Sequence, residues 1–413
     1  MNPFLTEKYQ QLSSGGPLAL VRQKAWERFL QMGLPQRKGS TGFQYVPLHQ
    51  LYEKTFQPCV ALDIEQAAFL DAIYPQCRES FLVFVDGVFR PDFSNTQGIP
   101  TQIVMTSLEE AMPFYGSVLH GHLIQQISQE KDAFALLNLS LHERGIFIYV
   151  PPELDITIPI QILHVVSQDA MPRIQVFVGA HSKVSFISNV AVRKPEKPWV
   201  NSVIDFFLEK GAAVHHVDFP GCQGLHFQAT RAHLKRESLL QTVNVVTEAQ
   251  LVRNDYRVAL CGEQARADLQ GIWMLKGNGQ AHTHVLMEHK APHAHSMQCF
   301  KGVLYDASQS SFEGKIFVDA DAQKTEAYQL NNNLILGENA LANSKPNLEI
   351  LADDVKASHG ATVGQLDPQQ LFYLKTRGLP ESVAKQLLVQ GFCKQIIDRI
   401  LHLFLREEVA SLL

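Results

Sequence analysis

The sequence predicts a mainly β protein, a parallel β-helix core between an N-terminal and a C-terminal helical domain. Small or turn-forming residues recur every 15 positions at Gly262, Gly277, Pro292, Ala307, Ala322 and Gly337, with Ala352 on the next step. Around this repeat, from near Gly145, the chain is β-like with little helical periodicity. Helix signals return only at the two ends. These observations divide the chain into a helical and mixed segment over 1–140, a β-helix over 141–364 and a helical segment over 365–413.

The first 45 residues predict a small helical cap. Ser14-Gly15-Gly16-Pro17 opens a segment with Val21, Ala25 and Phe29 four apart, and Gly33 with Pro35 closes it. From 60 to 140 the signals are mixed. Asp63 to Tyr74 has helical spacing, whereas Phe81 to Val85, Asp86-Gly87 and Val88-Phe89 read as strand, turn and strand.

In the centre, the positions five after each repeat mark are Ala267, His282, Met297, Phe312, Ala327, Ala342 and Ala357, a mostly apolar or small column. Successive rungs of a solenoid need such a column, because stacked strands about 4.8 Å apart set like residues at like depth. Two 15-residue segments then make one coil. A β-sandwich also has short strands and regular turns, but its loops vary in length and the period here does not.

At the C-terminal end, Asp367-Pro368-Gln369-Gln370 supplies an N-cap acid, a first-turn proline and a Gln at the capping-box position; Gly378 and Pro380 end that helix. A longer helix follows, with an apolar stripe of Val383, Leu387, Leu388, Phe392, Ile396, Ile397, Ile400, Leu401 and Phe404. The stripe is wide enough to cover a core face and a partner.

Composition narrows the function. A chain of 413 residues, 46% hydrophobic, can bury a large core. The formal net charge of −5, without a dense Lys/Arg run, argues against nucleic acid or anionic membrane as a partner. The first residues, Met1 to Lys8, lack the apolar run of a secretory signal, and Glu153 and Asp155 interrupt the apolar stretch from Gly145 to Val166, so the expected location is the cytoplasm. Cys59, Cys77, Cys222, Cys261, Cys299 and Cys393 are scattered without a C-x-x-C pair, so most are expected to be buried thiols. No phosphate-binding loop, complete dinucleotide fingerprint or nucleophile elbow occurs. If nucleotide energy is needed, another chain must supply it, and no catalytic residue is assigned.

Two stretches offer metal chemistry. On a strand, His282 with His284, or His293 with His295, share a face and offer two imidazoles to one ion. Hydrogen-bonded rung positions explain the same pattern, and no carboxylate or Cys at fixed spacing completes a ligand set. Where the repeat ends, Asp353, Asp354, Lys356, Ser358 and His359 lie close together, at the point where a solenoid exposes strand edges. Asp353 and Asp354 are adjacent and, on a strand, diverge. His359 precedes Gly360, so its imidazole can approach a metal or partner with little hindrance.

The run Asp353-Asp354-Val355-Lys356-Ala357-Ser358-His359-Gly360-Ala361-Thr362-Val363-Gly364, with Leu371-Phe372-Tyr373-Leu374 and Arg377-Gly378, closely resembles the C-terminal signature of the SufB/SufD family of iron–sulfur cluster assembly scaffolds. Phe312-Glu313-Gly314-Lys315-Ile316, Ala322-Gln323, Asn331-Asn332-Asn333-Leu334, Leu137-Asn138 and Gly145 to Pro151 resemble it too. Within the family, Ser358-His359-Gly360-Ala361-Thr362 looks like the SufD branch. One departure is Ala357, where many relatives have Cys, so a thiolate role there is absent.

The resemblance implies a right-handed parallel β-helix that pairs with a SufB-like subunit through the β-helix ends and docks a SufC-like ABC ATPase on its C-terminal helices. It implies a non-catalytic scaffold that builds or delivers nascent clusters and assists iron acquisition. Carried onto this chain, His359 matches an interface histidine for iron or a transient Fe–S cluster, flanked by Asp353, Asp354, Lys356 and Ser358. Phe372, Tyr373, Arg377, Gly378 and Phe392 fall in the ATPase-docking region. The resemblance also raises reduced flavin as a cofactor of the complex, no bound nucleotide on this subunit, and a homodimer for the chain in isolation. The rival readings are a β-helix carbohydrate-active enzyme with carboxylates in a groove, and a metalloenzyme built on the His282 to His295 cluster.

Overall fold

The computed structural model describes residues 3–37, 39–54, 69–193, 197–247 and 249–412. At the N-terminal end lie α1 (Pro3–Ser13), α2 (Ala19–Met32) and α3 (His49–Tyr52), followed by β1 (Phe81–Val85), β2 (Val88–Phe89), β3 (Val104–Ser107), α4 (Leu108–Gln129) and α5 (Ala133–Leu141). The solenoid continues through β4 (Ile146–Val150), β5 (Ile160–Val166), β6 (Arg173–Val178), β7 (Lys183–Val192), β8 (Trp199–Leu208), β9 (Ala213–Phe219), β10 (Cys222–Leu234) and β11 (Leu239–Val246). It ends with β12 (Ala249–Leu260), β13 (Arg266–Leu275), β14 (Gln280–His289), β15 (His295–Leu304), β16 (Gln309–Val318), β17 (Glu326–Ile335), β18 (Leu341–Ile350) and β19 (Lys356–Gly364). Three helices close the chain: α6 (Pro368–Thr376), α7 (Glu381–Ile397) and α8 (Leu403–Ser411).

From β4 onward the strands alternate between two sheets. One has the order β19-β17-β15-β13-β11-β9-β7-β5-β1-β2 and the other β18-β16-β14-β12-β10-β8-β6-β4-β3. All the pairs are parallel except β1 with β2 and β3 with β4. The predicted parallel β-solenoid with helices at both ends is therefore the fold. The predicted strand, turn and strand at Phe81–Phe89 is β1 and β2, with Asp86 and Gly87 both at positive φ; β1 also pairs with β5.

Every repeat mark from Gly262 to Ala352 falls between strands, and stacking explains why Gly262 and Gly337 are small. Turns of adjacent coils lie almost in contact: a Cβ on Gly262 would come 2.0 Å from the Arg236 nitrogen, and one on Gly337 2.2 Å from the Asp306 carbonyl. The column five residues later is not one column, however. Coils measured by register run 29 residues from Arg266 to His295, 31 from His295 to Glu326 and 32 from Gln309 to Leu341. Ser296, not Met297, therefore stands between Ala267 and Ala327, and Met297 pairs with Asp268 and Tyr328. A slip of one residue moves a side chain to the other face, so His282 and Met297 face outward while Ala267, Phe312 and Ala327 face in.

The interior is apolar over much of its length. Near its centre Phe300 lies 5.2 Å from Phe312, 6.0 Å from Trp273 and 6.3 Å from Tyr256, ring centre to ring centre. Both outer faces are covered as well. Val21, Ala25, Trp26 and Phe29 of α2, with Phe134 and Leu137 of α5, share a core with Phe147, Trp199, Phe227 and Leu251 of the β18-to-β3 sheet. Across the molecule, Val389, Cys393, Ile396, Ile400, Leu405 and Val409 pack on Ile187, Val243, Ile272 and Val303 of the other sheet. Gly33 caps α2 at a φ of 71°, as its position suggested.

Elsewhere the sequence reading needs amendment. Half of the segment with helical spacing, Asp63 to Tyr74, falls outside the described residues; within them Leu70–Ala72 forms one 3₁₀ turn. The 22-residue α4 was not foreseen, although Ser107 and Glu110 form a reciprocal capping box at its start. The last apolar stripe is not one helix. α7 stops at Ile397, and α8 restarts at Leu403 with Leu405 and Val409 buried. The break lets the chain double back, so that Ile396, Ile400, Leu405 and Val409 bury in one patch.

Truncating Phe300, 1% exposed in the solenoid centre, leaves a cavity among three aromatic rings. Phe300→Ala is expected to lose about 3–5 kcal/mol, measured by urea unfolding; a loss under about 1 kcal/mol would show that the centre collapses around the gap.

Candidate functional site

The last coil is the least covered part of the solenoid. β18 and β19 each pair on one side only, with β16 and β17, and present their other edges outward. Core-facing Ala342, Leu348, Ile350 and Ala357 are only partly buried, and Leu341, Leu351 and Val363 are exposed. The axial end of an apolar core therefore meets solvent here.

His359 sits on β19 in register with Gln329 and is exposed. Its neighbour Ala357 pairs with Ala327 of the core, so strand alternation places Ala357, His359, Ala361 and Val363 on the interior side. Lys356 and Ser358 lie on the opposite side, Lys356 in an exposed ion pair with Glu326 at 3.0 Å. Asp353 and Asp354 occupy the bend before β19 rather than a strand, so they are separated by turn geometry and not by pleat alternation. The Asp354 backbone is held at both ends: its N–H donates to Gln323 Oε1 at 2.9 Å and its carbonyl accepts from Lys324 N. All five residues belong to the last coil, on different sides of it.

The other sequence-selected stretch has no free ligand set. Nδ1 of His282 is 2.8 Å from Ser311 Oγ and Nε2 is 3.0 Å from Gln280 Oε1, while His284 Nδ1 is 2.6 Å from Asp255 Oδ1. Among the described residues no three His, Cys, Asp or Glu side chains converge to hold a metal ion. Cys77, Cys299 and Cys393 are buried and Cys261 is exposed. Burial pushes Cys77 and Cys393 up to about 12, which disfavours the thiolate a metal needs.

Groove carboxylates fare no better as a glycosidase pair. Glu130 lies in the cavity that Arg231, Arg257, Lys290 and Glu288 line. Burial pushes its carboxyl up, but Arg231 and Arg257 outweigh that and hold it below the usual range. The carboxylate is tied to the Arg231 Nε at 2.8 Å. Glu130 belongs to a buried ion cluster that the sequence reading missed, in which Arg253 meets Asp132 at 2.6 Å and Arg231 meets Asp255 at 2.7 Å. It fastens the junction of α4 and α5 to the outer face of β10 and β12. Its signal was visible as Arg253, Asp255 and Arg257 at two-residue spacing.

At the C-terminal end Asp367 accepts from the Gln369 N–H at 2.8 Å and caps α6, as its sequence suggested. No residue of α6 is buried. Phe372 and Tyr373 are 69% and 55% exposed, with the Arg377 guanidinium 5.0 Å over the Tyr373 ring and Gly378 ending the helix at a φ of 88°. Phe392 does a different job: the Lys301 ammonium sits 4.8 Å over its ring and donates to its carbonyl at 2.7 Å, holding α7 on β15.

Comparison with known proteins adds a second line. The model of the SUF system FeS cluster assembly SufBD core domain matches residues 163–392, and that of the SufBD protein N-terminal region matches 6–162. An iron–sulfur cluster assembly SufBD family protein of Synechocystis is 28% identical over 92% of this chain and 86% of its own. The iron–sulfur cluster assembly protein SufD of Escherichia coli is 24% identical over 94% and 90%, and the chloroplastic protein ABCI7 of Arabidopsis thaliana 25% identical over 97% and 86%. No described helix is long and apolar enough to cross a membrane.

Buried imidazoles give the molecule a marked acid sensitivity. Burial pulls His164, His282 and His289 down to about 3 and His216, His226 and His233 down to about 4, from an ordinary 6.5. Between pH 6.5 and about 4 the unfolded chain therefore binds more protons than the folded one, so stability is full above that window and falls as the pH drops through it. Burial pushes Asp218 up to about 7 and raises Asp169, Asp205 and Glu408 as well, and these carboxyls act in the opposite sense, but the depressed imidazoles, which also include His122, His142, His215 and His402, outnumber them. The urea midpoint is expected to fall steadily from pH 6.5 to pH 4, each histidine contributing on the order of 1 kcal/mol per pH unit. A flat profile across that window would contradict their burial in neutral form.

Proposed function

The chain belongs to the SufBD family of the SUF iron–sulfur cluster assembly system, and from that premise we propose that it is a SufD-like, non-catalytic scaffold subunit. Its partners are a SufB-like solenoid and a SufC-like ABC ATPase, and its cargo is iron or a nascent cluster. The observation that carries the proposal is the last coil: two unpaired strand edges, an apolar core open to solvent, and an exposed histidine that belongs to no three-ligand cluster among the described residues. A site of that kind is completed by another subunit.

A SufB-like solenoid covers this end, removing the exposed Leu341, Leu351 and Val363 from water. Lys345 and Pro346 blunt the β18 edge, and the small residues of β19 leave that edge the easier one to approach. His359 then supplies a neutral imidazole to iron at the junction. Because position 357 is Ala, thiolate ligands come from the partner.

Energy enters through the helices that follow β19 in the chain. The exposed Phe372, Tyr373 and Arg377 of α6 receive the ATPase, in the pattern of aromatic and arginine anchors that dominate interfaces. α7, locked to β13 and β15 through Phe392 and Lys301, passes a pull on the helices to the solenoid. ATP-driven approach of two ATPase subunits thereby opens the solenoid junction and exposes His359 to its cargo.

Affinity purification of the chain from its native cell is expected to recover an ABC ATPase and a second solenoid protein; recovery of neither sinks the reading. Tyr373→Ala should weaken ATPase capture about thirtyfold in a binding titration and leave the solenoid partner in place. His359→Ala should keep both partners but lose cluster formation in an iron and sulfide reconstitution followed by absorbance. Full cluster formation by that variant would remove the ligand role.

A further inference from the structure

A column of polar side chains runs beneath His359 into the solenoid. Register sets Leu269, Gln298, Gln329 and His359 on four successive coils of one sheet, and alternation turns all four to the interior side. Gln298 and Gln329 are fully buried, at 0% and 2% exposure. A primary amide in an apolar interior is costly unless its hydrogen bonds are made. Half of the requirement is met: Gln329 Nε2 donates to Gln298 Oε1 at 2.8 Å. Gln329 Oε1 is buried and has no partner among the described residues.

The fold commits space to this amide. Gly314 on β16 faces it across the interior, and a Cβ there would lie 2.2 Å from Gln329 Nε2. The next donor along the ladder belongs to the following coil, about 4.8 Å farther along the axis, where the in-register side chain is His359. Ser344 Oγ on β18 and Gln298 Nε2 on the preceding coil are also buried without a partner among the described residues and are the rival donors.

We propose that Gln329 is a positioning residue for His359: its buried Oε1 accepts a ring N–H, extends the Gln298–Gln329 ladder by one rung and fixes the imidazole tautomer. The other ring nitrogen, carrying the lone pair, is thereby directed out of the open end. A metal-binding histidine ordinarily has its second nitrogen held in this way. The value of this arrangement rests on the ligand reading of His359, but the hydrogen bond does not.

The test is the ¹⁵N imidazole spectrum of the full chain as it purifies, with the His359 signal identified by its loss in His359→Asn. One neutral hydrogen bond biases the tautomer ratio about fivefold, and that bias is expected in the wild type. Gln329→Leu should abolish it, Gly314→Ala should do the same by displacing the amide without altering β17, Gln329→Glu should preserve it, and Ser344→Ala should leave it unchanged. An unaltered ratio in folded Gln329→Leu, or a loss confined to Ser344→Ala, overturns the proposal. Should neither Gln329→Leu nor Gly314→Ala fold, the wild type decides: a slowly exchanging His359 ring proton with a cross-peak to the Gln329 side chain is expected, and its absence overturns the proposal. Normal cluster formation by His359→Ala would remove the ligand reading and leave the tautomer result standing, whereas equal tautomers would do the reverse.

Discussion

In-register parallel pairing between successive coils is the constraint on which the rest of the structure depends. Each coil can bury its inner side chains only against the coils above and below, so like positions stack and turns nearly touch. Interior coils satisfy both edges. The first coils are closed by antiparallel β2 and β3; among the described residues the last has no such cover. An open end is thus a direct product of the architecture, and the residues at it are exposed because no further coil follows.

The same stacking leaves each sheet with an outer face that must be covered. The N-terminal helices cover one, anchored by Trp26, Phe29 and Phe134 and by the buried cluster of Arg231, Arg253, Glu130, Asp132 and Asp255. Such buried pairs add little net stability over apolar packing, but removing one partner strands the other charge, which fixes how the helices sit. The C-terminal helices cover the other face and make α7 part of the solenoid body, whereas α6 stands free of any core. The cargo and motor sites proposed for this chain are therefore neighbours in sequence, β19 leading into the exposed α6 and then into α7, which packs on β13 and β15.

Much was legible along the chain because stacking imposes local demands. Gly262 and Gly337 are small since turns crowd one another, Gly277 sits at a φ of 60°, and Asp86-Gly87 and Asp367-Pro368 announce a turn and a helix start by their own chemistry. In the histidine-rich stretch the rings of His282 and His284 are absorbed by Ser311, Gln280 and Asp255, and among the described residues no three ligand side chains converge there. Less was legible between 60 and 140, where α4 earns its helix from a capping box and burial against the sheet rather than from clean periodicity.

By itself, then, the sequence determined a stacked β architecture, its helical ends and the one stretch, Asp353 to Gly364, where the repeat stops. Tertiary structure decided which side of that stretch matters. Coils of 29 to 32 residues are not multiples of a strict period, so whether a residue faces in or out depends on partners far along the chain. That is why Met297 and Phe312, alike in the repeat, face opposite ways, and why Gln298 and Gln329, unremarked in the sequence, lie in line beneath His359. A side chain's face in a solenoid is set by the coil it pairs with, and that pairing has no trace in local residue order.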